Sequence, residues 1–402
     1  MKYSYKGLKT KRILIVLIIL FMISSFVLPP FFSKNVTALD TDNNKIEDYV
    51  DDQIKDIDFG DFEKILNQLD DQQKNAFGES FAVKIKKILS GETQVNFASL
   101  GSALLSVFSK DIVAILPVLC SLIGIGILSS IITQSSYSTD KSVAEIVHFV
   151  CFGIIVTIVF ASVANIIKLT SNTLSVIKAQ MEVGFPILLT LMTALGSVVS
   201  VSVYQPVVAI LSGSIMTIFS NFVMPLFIFC LVFTVAGNLS NNVKLNKFSQ
   251  LFMNIFKWTI GIVFTLFSSL LVVQGITAGS YDGLSIRTTK YAMKSYIPFV
   301  GSYLSDGLNL ILTSSMLIKN SIGLGCLILL AITVLAPIIK ILVLKLALAL
   351  ASSILEPICD KKICDFLSGV SKCLSMLVAT ICSIAFAYLI TTGLIMCSGN
   401  LV

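Results

Sequence analysis

Four long apolar runs decide what this chain can fold into. They cover residues 112–133, 146–167, 207–235 and 322–355. About 20 apolar residues in a helix cross the roughly 30 Å hydrocarbon core of a bilayer, so each run is long enough to span a membrane. Across the 402 residues, 55% are hydrophobic and only 13% are charged. The sequence therefore predicts an all-α polytopic membrane protein with about 6–8 transmembrane helices.

The N-terminus has the three parts of a secretory signal peptide. Basic residues between Lys2 and Arg12 precede an apolar run at 13–28, and Val36-Thr37-Ala38 follows as a cleavage site. This order predicts a signal peptide at residues 1–38 that is cleaved after Ala38. The alternative is an uncleaved signal anchor. In both cases the basic end stays in the cytoplasm and the following residues emerge on the other side of the membrane.

Residues 39–110 form an acidic region that contains 14 of the 23 acidic residues. Its apolar residues recur at helical spacing, which predicts short amphipathic helices. These helices are too short to bury a core of their own. We therefore expect an exported helical region whose apolar faces pack on each other, on the membrane surface or on a partner.

The membrane part divides into a first transmembrane hairpin at 111–168 and two similar units at 169–280 and 281–402. Four residues of the first unit have identical counterparts 112 positions later, and two more match at a spacing of 118. The pairs are Met181 and Met293, Pro186 and Pro298, Gly213 and Gly325, Pro225 and Pro337, Phe248 and Phe366, and Gly275 and Gly393. This predicts an internal repeat, which is common in transporter-like membrane folds.

Charge in the short loops predicts the topology. If the two repeat units run parallel, their basic turns near Lys247 and Lys361 lie on the same side, and the positive-inside rule assigns that side to the cytoplasm. This gives six full spans after the signal, two partial insertions after Pro186 and Pro298, and an external C-terminus. Seven or eight spans are the alternative.

Residues 289–323 mix apolar and polar side chains between two hydrophobic segments. Asp306, Asn309 and Lys319 lie within this stretch. A charge at the centre of a spanning helix costs about 2.5–3.5 kcal/mol on insertion scales, so a plain span is disfavoured. We expect a segment that enters or lies along the membrane under the cover of neighbouring helices.

Lys340 and Lys345 lie inside the apolar run at 322–355. Charged residues in a membrane segment indicate a functional site by default, and these lysines then line a polar cavity or pair with Asp306 or Glu356. The alternative is that the run breaks near Pro337 and both lysines reach the membrane interface. A second pair, Glu145 and His148, suits proton relay or a simple interfacial contact.

The sequence carries no catalytic constellation. It has one histidine and lacks the P-loop, GxSxG, HExxH and EF-hand patterns. Six of the nine cysteines lie in apolar runs, where Cys acts as a small hydrophobe, and the other three match no zinc or CxxC spacing. The basic residues are scattered through short loops, which is not the pattern of a nucleic-acid site. We therefore expect neither enzymatic activity nor a cofactor or metal ion.

The stretch KYAMKSYIPFVGSYLSDGLNLILTSSMLIKN at 290–320 resembles the stage III sporulation protein AE family. Its core is IP-x-VG-x-x-LSD, from Ile297 to Asp306. The GFP element at 184–186, the YQP element at 204–206, the signal peptide and the acidic region before the first span agree with the same family. The resemblance covers essentially the whole chain, and it is specific at 290–321 and compositional elsewhere.

The resemblance implies a membrane subunit of a channel or secretion-like apparatus in endospore-forming bacteria. Family members lie in the mother-cell membrane that faces the forespore, and the apparatus supports late forespore gene expression. The implied partners are other stage III sporulation A proteins, which include a cytoplasmic ATPase and ring-forming channel proteins. The family has no established catalytic residues to transfer. A self-contained secondary transporter using Asp306, Lys340 and Lys345 is the alternative, and a non-conducting scaffold is a third.

Overall fold

The computed structural model describes residues 54, 57–90, 97–137, 141–239, 245–296 and 301–398, and within this part every regular element is a helix. The predicted signal peptide lies outside the described residues. Three short helices come first, and long helices follow. The α-helices are α1 (Gly60–Asn67), α2 (Asp71–Phe77), α3 (Phe81–Leu89), α4 (Phe97–Tyr137), α5 (Lys141–Ala194), α6 (Val198–Ala209), α7 (Met216–Ile218), α8 (Met224–Leu239), α9 (Asn246–Tyr296), α10 (Gly301–Leu355) and α11 (Lys361–Cys397). Two π-helical segments, Ile210–Ile215 and Phe219–Val223, join α6, α7 and α8 without a break.

Six helical segments in the described part of the chain are long and apolar enough to cross a membrane. They are Phe108–Ile132, Ile146–Ala194, Val198–Asn238, Lys247–Leu271, Gly307–Leu355 and Lys361–Cys397. These segments confirm the predicted all-α polytopic fold. At 1.5 Å per residue, the 55 residues of α10 extend for about 80 Å, which is more than twice the thickness of a bilayer core.

The sequence pattern predicted that the helix of the second apolar run ends at Lys168, and this prediction is wrong. Instead, α5 continues to Ala194. The Lys168 side chain is exposed, so its charge is not buried, and lysine is a good helix former. The helix ends where Gly196 adopts a φ of 76°, a left-handed conformation that glycine reaches without steric cost.

The predicted break near Pro337 is also absent, because Pro337 lies inside the continuous helix α10. Two other predicted boundaries, 110/111 and 280/281, fall inside α4 and α9. A proline removes one backbone donor, and packing against neighbouring helices compensates for that loss in a membrane protein. The internal repeat and its domain division stay a prediction.

The long helices are organised around α10 and α11. Helix α10 packs on α4, α5, α9 and α11, and α11 also packs on α5, α8 and α9. Large side chains from α11 fill the centre of the bundle: Phe366, Leu367, Ile381 and Tyr388 are all buried. The interior of this chain is thus closely packed along α11.

The three short helices form a cap, defined here as α1, α2 and α3. Each has an amphipathic sequence, and their apolar faces meet in a cluster of Phe62, Phe77 and Phe81. The cap packs through α2 and α3 on α10 and through α1 on α5. This confirms the short amphipathic helices at 60–89, and it shows that their apolar faces meet both each other and the long helices.

Candidate functional site

The cap is held against α10 by close aromatic packing at Gly325. The Phe62 and Phe81 rings stack with centroids 3.9 Å apart, and both side chains are fully buried. A Cβ atom at Gly325 would lie 2.5 Å from Ile85 Cδ1 and 3.1 Å from Phe81 Cζ. A side chain at position 325 would therefore require Ile85 and Phe81 to move, so glycine at 325 lets α3 lie close to α10.

Polar contacts also join the cap to α10, at a point nearer the C-terminus of α10. Gln73 of α2 is buried, and its Nε2 donates to the backbone oxygens of Thr333, at 3.2 Å, and Ile332, at 3.4 Å. A helix normally satisfies the oxygen of residue 333 with the N–H of residue 337. Pro337 has no N–H, so the amide of Gln73 replaces the missing donor.

A second buried amide reaches the same turn from α5. Gln180 is fully buried, and its Nε2 donates to Thr333 Oγ1 at 2.8 Å. The hydroxyl of Thr333 in turn donates to the oxygen of Leu329 at 2.8 Å. The cap, α5 and α10 are therefore joined through one threonine, and the geometry of the proline-containing turn is fixed by three helices.

Lys340 lies one turn beyond Pro337 and interacts with acids from two other elements. Its Nζ is 3.5 Å from Oδ2 of Asp70, the residue immediately before α2. Asp111 of α4 also interacts electrostatically with Lys340. The side chains of Lys340 and Asp70 are 30% and 55% exposed, so this ion pair contributes little stability by itself. Lys340 thus pairs with Asp70, the residue before α2, rather than with Glu356, and the side chain of Asp306 lies outside the described residues.

We define the cap joint as Asp70, Gln73, Gln180, Thr333, Pro337 and Lys340.

We expect Gln73→Leu to weaken the cap joint by about 1–3 kcal/mol, because the buried oxygen of Thr333 then loses its donor. The melting temperature of the detergent-solubilised protein is the measurement. Gln72→Leu is the matched control, since Gln72 is exposed on the same helix. Equal melting temperatures for the two variants would contradict the role of Gln73.

Lys319 belongs to a separate polar cluster at the C-terminal end of α11. Its side chain is fully buried, and its Nζ donates to the backbone oxygen of Ser398. The hydroxyl of Ser398 is 3.0 Å from Tyr204 OH, and the Tyr204 side chain is also buried. A positive charge at the C-terminus of a helix is favourable, because the unpaired carbonyl oxygens carry partial negative charge. Lys319 thus ties α10 to the end of α11.

The five residues singled out in the sequence do not form one site. Lys319 and Lys340 are 21 positions apart on one helix, which separates their Cα atoms by about 30 Å. Lys345 contributes its backbone oxygen, which accepts from Ser371 Oγ at 3.0 Å. Asn309 is half-buried near the start of α10. Asp306 lies in the same region of the helix, and its side chain is outside the described part.

His148 contacts an acid in the connection between α10 and α11, and its predicted pairing with Glu145 stays a prediction. Its Nε2 lies 3.2 Å from Asp360 Oδ2, and Asp360 also caps α11 by accepting from the Lys362 N–H. Nearby, Cys359 Sγ donates to the oxygen of Gly126 at 2.8 Å, and burial raises the pKa of this thiol. The side chain of Glu145 lies outside the described part. These contacts join the connection between α10 and α11 to α4 and α5.

Sequence reasoning missed Asp70, Gln73, Gln180 and Thr333. One signal for the joint was present: Thr333 precedes Pro337 by four residues, and this spacing marks a helix oxygen without a donor. Nothing in the local sequence indicated which side chain supplies the missing hydrogen bond.

Comparison with known proteins places these helices in a family. The stage III sporulation protein AE family matches residues 80–399, from α3 of the cap to the end of α11. The stage III sporulation protein AE of Bacillus subtilis (strain 168) is 25% identical over 263 residues, which are 65% of this chain and 66% of the relative. The aligned part thus spans slightly less than two thirds of that relative. No solved structure matches the chain. With the family match covering most of its length, this chain belongs to the stage III sporulation protein AE family.

Proposed function

We propose that this chain is an integral membrane subunit of a channel or secretion-like complex between mother cell and forespore, needed for late forespore gene expression. Family membership over residues 80–399 is the observation that carries the proposal. The chain lies in the mother-cell membrane around the forespore, with residues 39–110 on the extracytoplasmic side. Its partners are other stage III sporulation A proteins, including a cytoplasmic ATPase and ring-forming channel proteins.

The packing of α10 and α11 supports a subunit over a self-contained transporter. The transporter alternative needs Asp306, Lys340 and Lys345 to line one path, whereas Asp306 and Lys340 are 34 positions apart on α10, which separates their Cα atoms by about 50 Å. The centre of the bundle is filled by side chains of α11. A conduit that involves this chain therefore runs between subunits, and the chain itself has a structural rather than a catalytic role.

The cap supports the assignment of a partner-binding side. Its apolar face is already used against α5 and α10, while charged residues such as Asp61, Lys64 and Glu79 remain exposed on its outer surface. A folded, charged surface fixed to a membrane bundle is suited to contact soluble domains of other subunits. We infer that these partners meet the cap in the space between the two membranes.

Deletion of the gene in its host tests this function. We expect sporulation to arrest just after engulfment and to yield no heat-resistant spores, and the wild-type gene supplied at another locus should restore them. Microscopy and heat-resistant spore counts after starvation are the measurements. Normal spore numbers in the deletion strain would contradict the proposal.

Reconstitution separates the subunit from the transporter alternative. A transporter moves a solute when it is purified alone and placed in liposomes, whereas a conduit subunit requires its partners. Asp306→Asn in the complemented strain tests the scaffold alternative. A non-conducting scaffold does not need the charge of Asp306, so on that alternative the strain sporulates normally. Solute uptake by the purified chain alone would favour the transporter.

A further inference from the structure

A pair of buried thiols lies between α8 and the central helix α11. Cys230 Sγ and Cys373 Sγ are 3.2 Å apart, and the two residues are 0% and 1% exposed. Two hydroxyl groups adjoin them: Ser249 Oγ is 3.4 Å from Cys230 Sγ, and Thr234 Oγ1 is 3.5 Å from Cys373 Sγ. The hydroxyls of Thr234 and Ser249 are 2.7 Å from each other. We call these four residues the dithiol cluster.

A glycine one turn away explains why the sulfur atoms come so close. A Cβ atom at Gly369 would lie 2.6 Å from Thr234 Cγ2, so α8 and α11 approach each other at that point. Cys230 precedes Thr234 by four residues, and Cys373 follows Gly369 by four residues. Because α8 and α11 run antiparallel, both sulfur atoms lie one turn from the close approach of Thr234 and Gly369, on the same side of it. Small residues permit such close approaches between helices in membranes.

Burial alone does not distinguish these cysteines, because Cys in an apolar helix often acts as a small hydrophobe. Cys382 provides the comparison. It lies on the same helix and is 7% exposed, and among the described residues it makes no contact with another sulfur atom. Cys230 and Cys373, by contrast, face each other across a helix interface that a glycine has narrowed.

We propose that Cys230 and Cys373 are an oxidisable pair, which a small hydroperoxide such as hydrogen peroxide converts to a disulfide that fastens α8 to α11. Sulfur atoms of a disulfide are about 2.05 Å apart, so the pair must close by only about 1.2 Å. Hydrogen peroxide is uncharged and close to water in size. It therefore enters a packed helix interface more readily than a bulky oxidant.

The reaction balances in two steps. The sulfur of Cys230 attacks one peroxide oxygen, the O–O bond breaks, and the thiol proton leaves with the other oxygen as water, so that a sulfenic acid forms. The sulfur of Cys373 then attacks the sulfenic sulfur, the S–O bond breaks, and the hydroxyl leaves with the Cys373 proton as a second water. Two thiols lose two electrons, and one peroxide is reduced to two waters. Ser249 and Thr234 lie where a hydroxyl can pass these protons.

The disulfide would connect three helices of the bundle. Helix α8 is already joined to α9 by stacked rings, since Phe233 lies 5.5 Å from Phe248 and 5.3 Å from Phe252 between ring centroids. A covalent bond from α8 to α11 therefore fixes the α8–α9 pair as a unit against the centre of the bundle. Oxidation thus gives this family member a covalent bond between α8 and α11 in addition to their packing.

Peptide mapping of the full-length protein in native membranes tests the proposal. The membranes are treated with hydrogen peroxide, free thiols are alkylated, and the digested protein is examined by mass spectrometry with and without reduction. We expect a reducible cross-linked peptide pair that contains Cys230 and Cys373, with the loss of two alkylated thiols per chain. If both cysteines are recovered in alkylated form after peroxide treatment, neither had formed a disulfide, and the proposal would be overturned.

Single substitutions identify the pair. Cys230→Ser and Cys373→Ser should each abolish the cross-link, while Cys382→Ser on the same helix should leave its yield unchanged. Mapping of the wild-type chain decides the question even if a serine variant fails to fold. A cross-link in which Cys230 or Cys373 pairs with another cysteine would also overturn the assignment.

Discussion

Phe81→Ala is expected to release the cap from α10 and to raise its cleavage by trypsin about a hundredfold or more. The Phe81 side chain is fully buried, stacks on Phe62 and adjoins the Gly325 position. Replacing a buried Phe by Ala costs about 3–5 kcal/mol. Each 1.4 kcal/mol is a factor of about ten in an equilibrium, so the undocked population rises by two orders of magnitude or more.

The measurement is the rate of tryptic cleavage at Lys64 and Lys84 in the detergent-solubilised protein. Cleavage follows the undocked population when docking is fast relative to proteolysis. Val83→Ala is the matched control, because Val83 lies on the same helix and is 43% exposed. Equal cleavage rates for the two variants would show that the cap does not depend on this packing.

Gly369→Val is expected to destabilise the membrane bundle strongly. The new side chain would enter space that Thr234 Cγ2 occupies, at a Cβ distance of 2.6 Å. Overpacking a close-packed core costs about 1–3 kcal/mol and sometimes more. The central helix α11 offers little relief, because its neighbours α5, α8, α9 and α10 surround it. We expect a lower melting temperature and less monodisperse protein after detergent extraction.

Gly393→Val is the control for this prediction. Gly393 lies on the same helix, and among the described residues a Cβ atom there meets no atom of another helix within 4 Å. The change in helix propensity is the same in both variants, so the difference between their melting temperatures isolates the steric effect. If Gly393→Val destabilises the protein as much as Gly369→Val, the close approach of α8 and α11 is not the cause. Gly369→Val should also slow formation of the Cys230–Cys373 disulfide, because it separates the two helices.

The two predictions probe different parts of the proposed subunit. Phe81→Ala leaves the membrane helices intact and exposes the apolar face of the cap. Gly369→Val leaves the cap in place and alters the centre of the bundle. Spore counts with each variant then report which part the host requires. If the subunit contacts soluble partners through its cap, Phe81→Ala should be sufficient to lower the spore count.

Much of the fold follows from the sequence because a bilayer imposes strong constraints. Apolar runs such as 322–355 must be helical, since a helix satisfies every backbone hydrogen bond within the segment. The spacing of Phe62, Ile65 and Leu66 likewise predicts an amphipathic helix, and all three residues are buried as that spacing requires. Helix ends were predicted less well, because Lys168 and Pro337 resemble boundaries in sequence and lie within continuous helices.

The pattern of apolar and polar residues is enough to predict the all-α membrane class, the amphipathic cap helices and the residues whose polarity is unusual for their position. What those residues contact is known only from the way the helices pack. Lys340 pairs with an acid 270 positions away, and the oxygen left free by Pro337 accepts from an amide 260 positions away. The cost of burying a polar group requires that it has a partner, but it does not specify which one. Helix packing makes that choice, because it depends on the shapes of many side chains together.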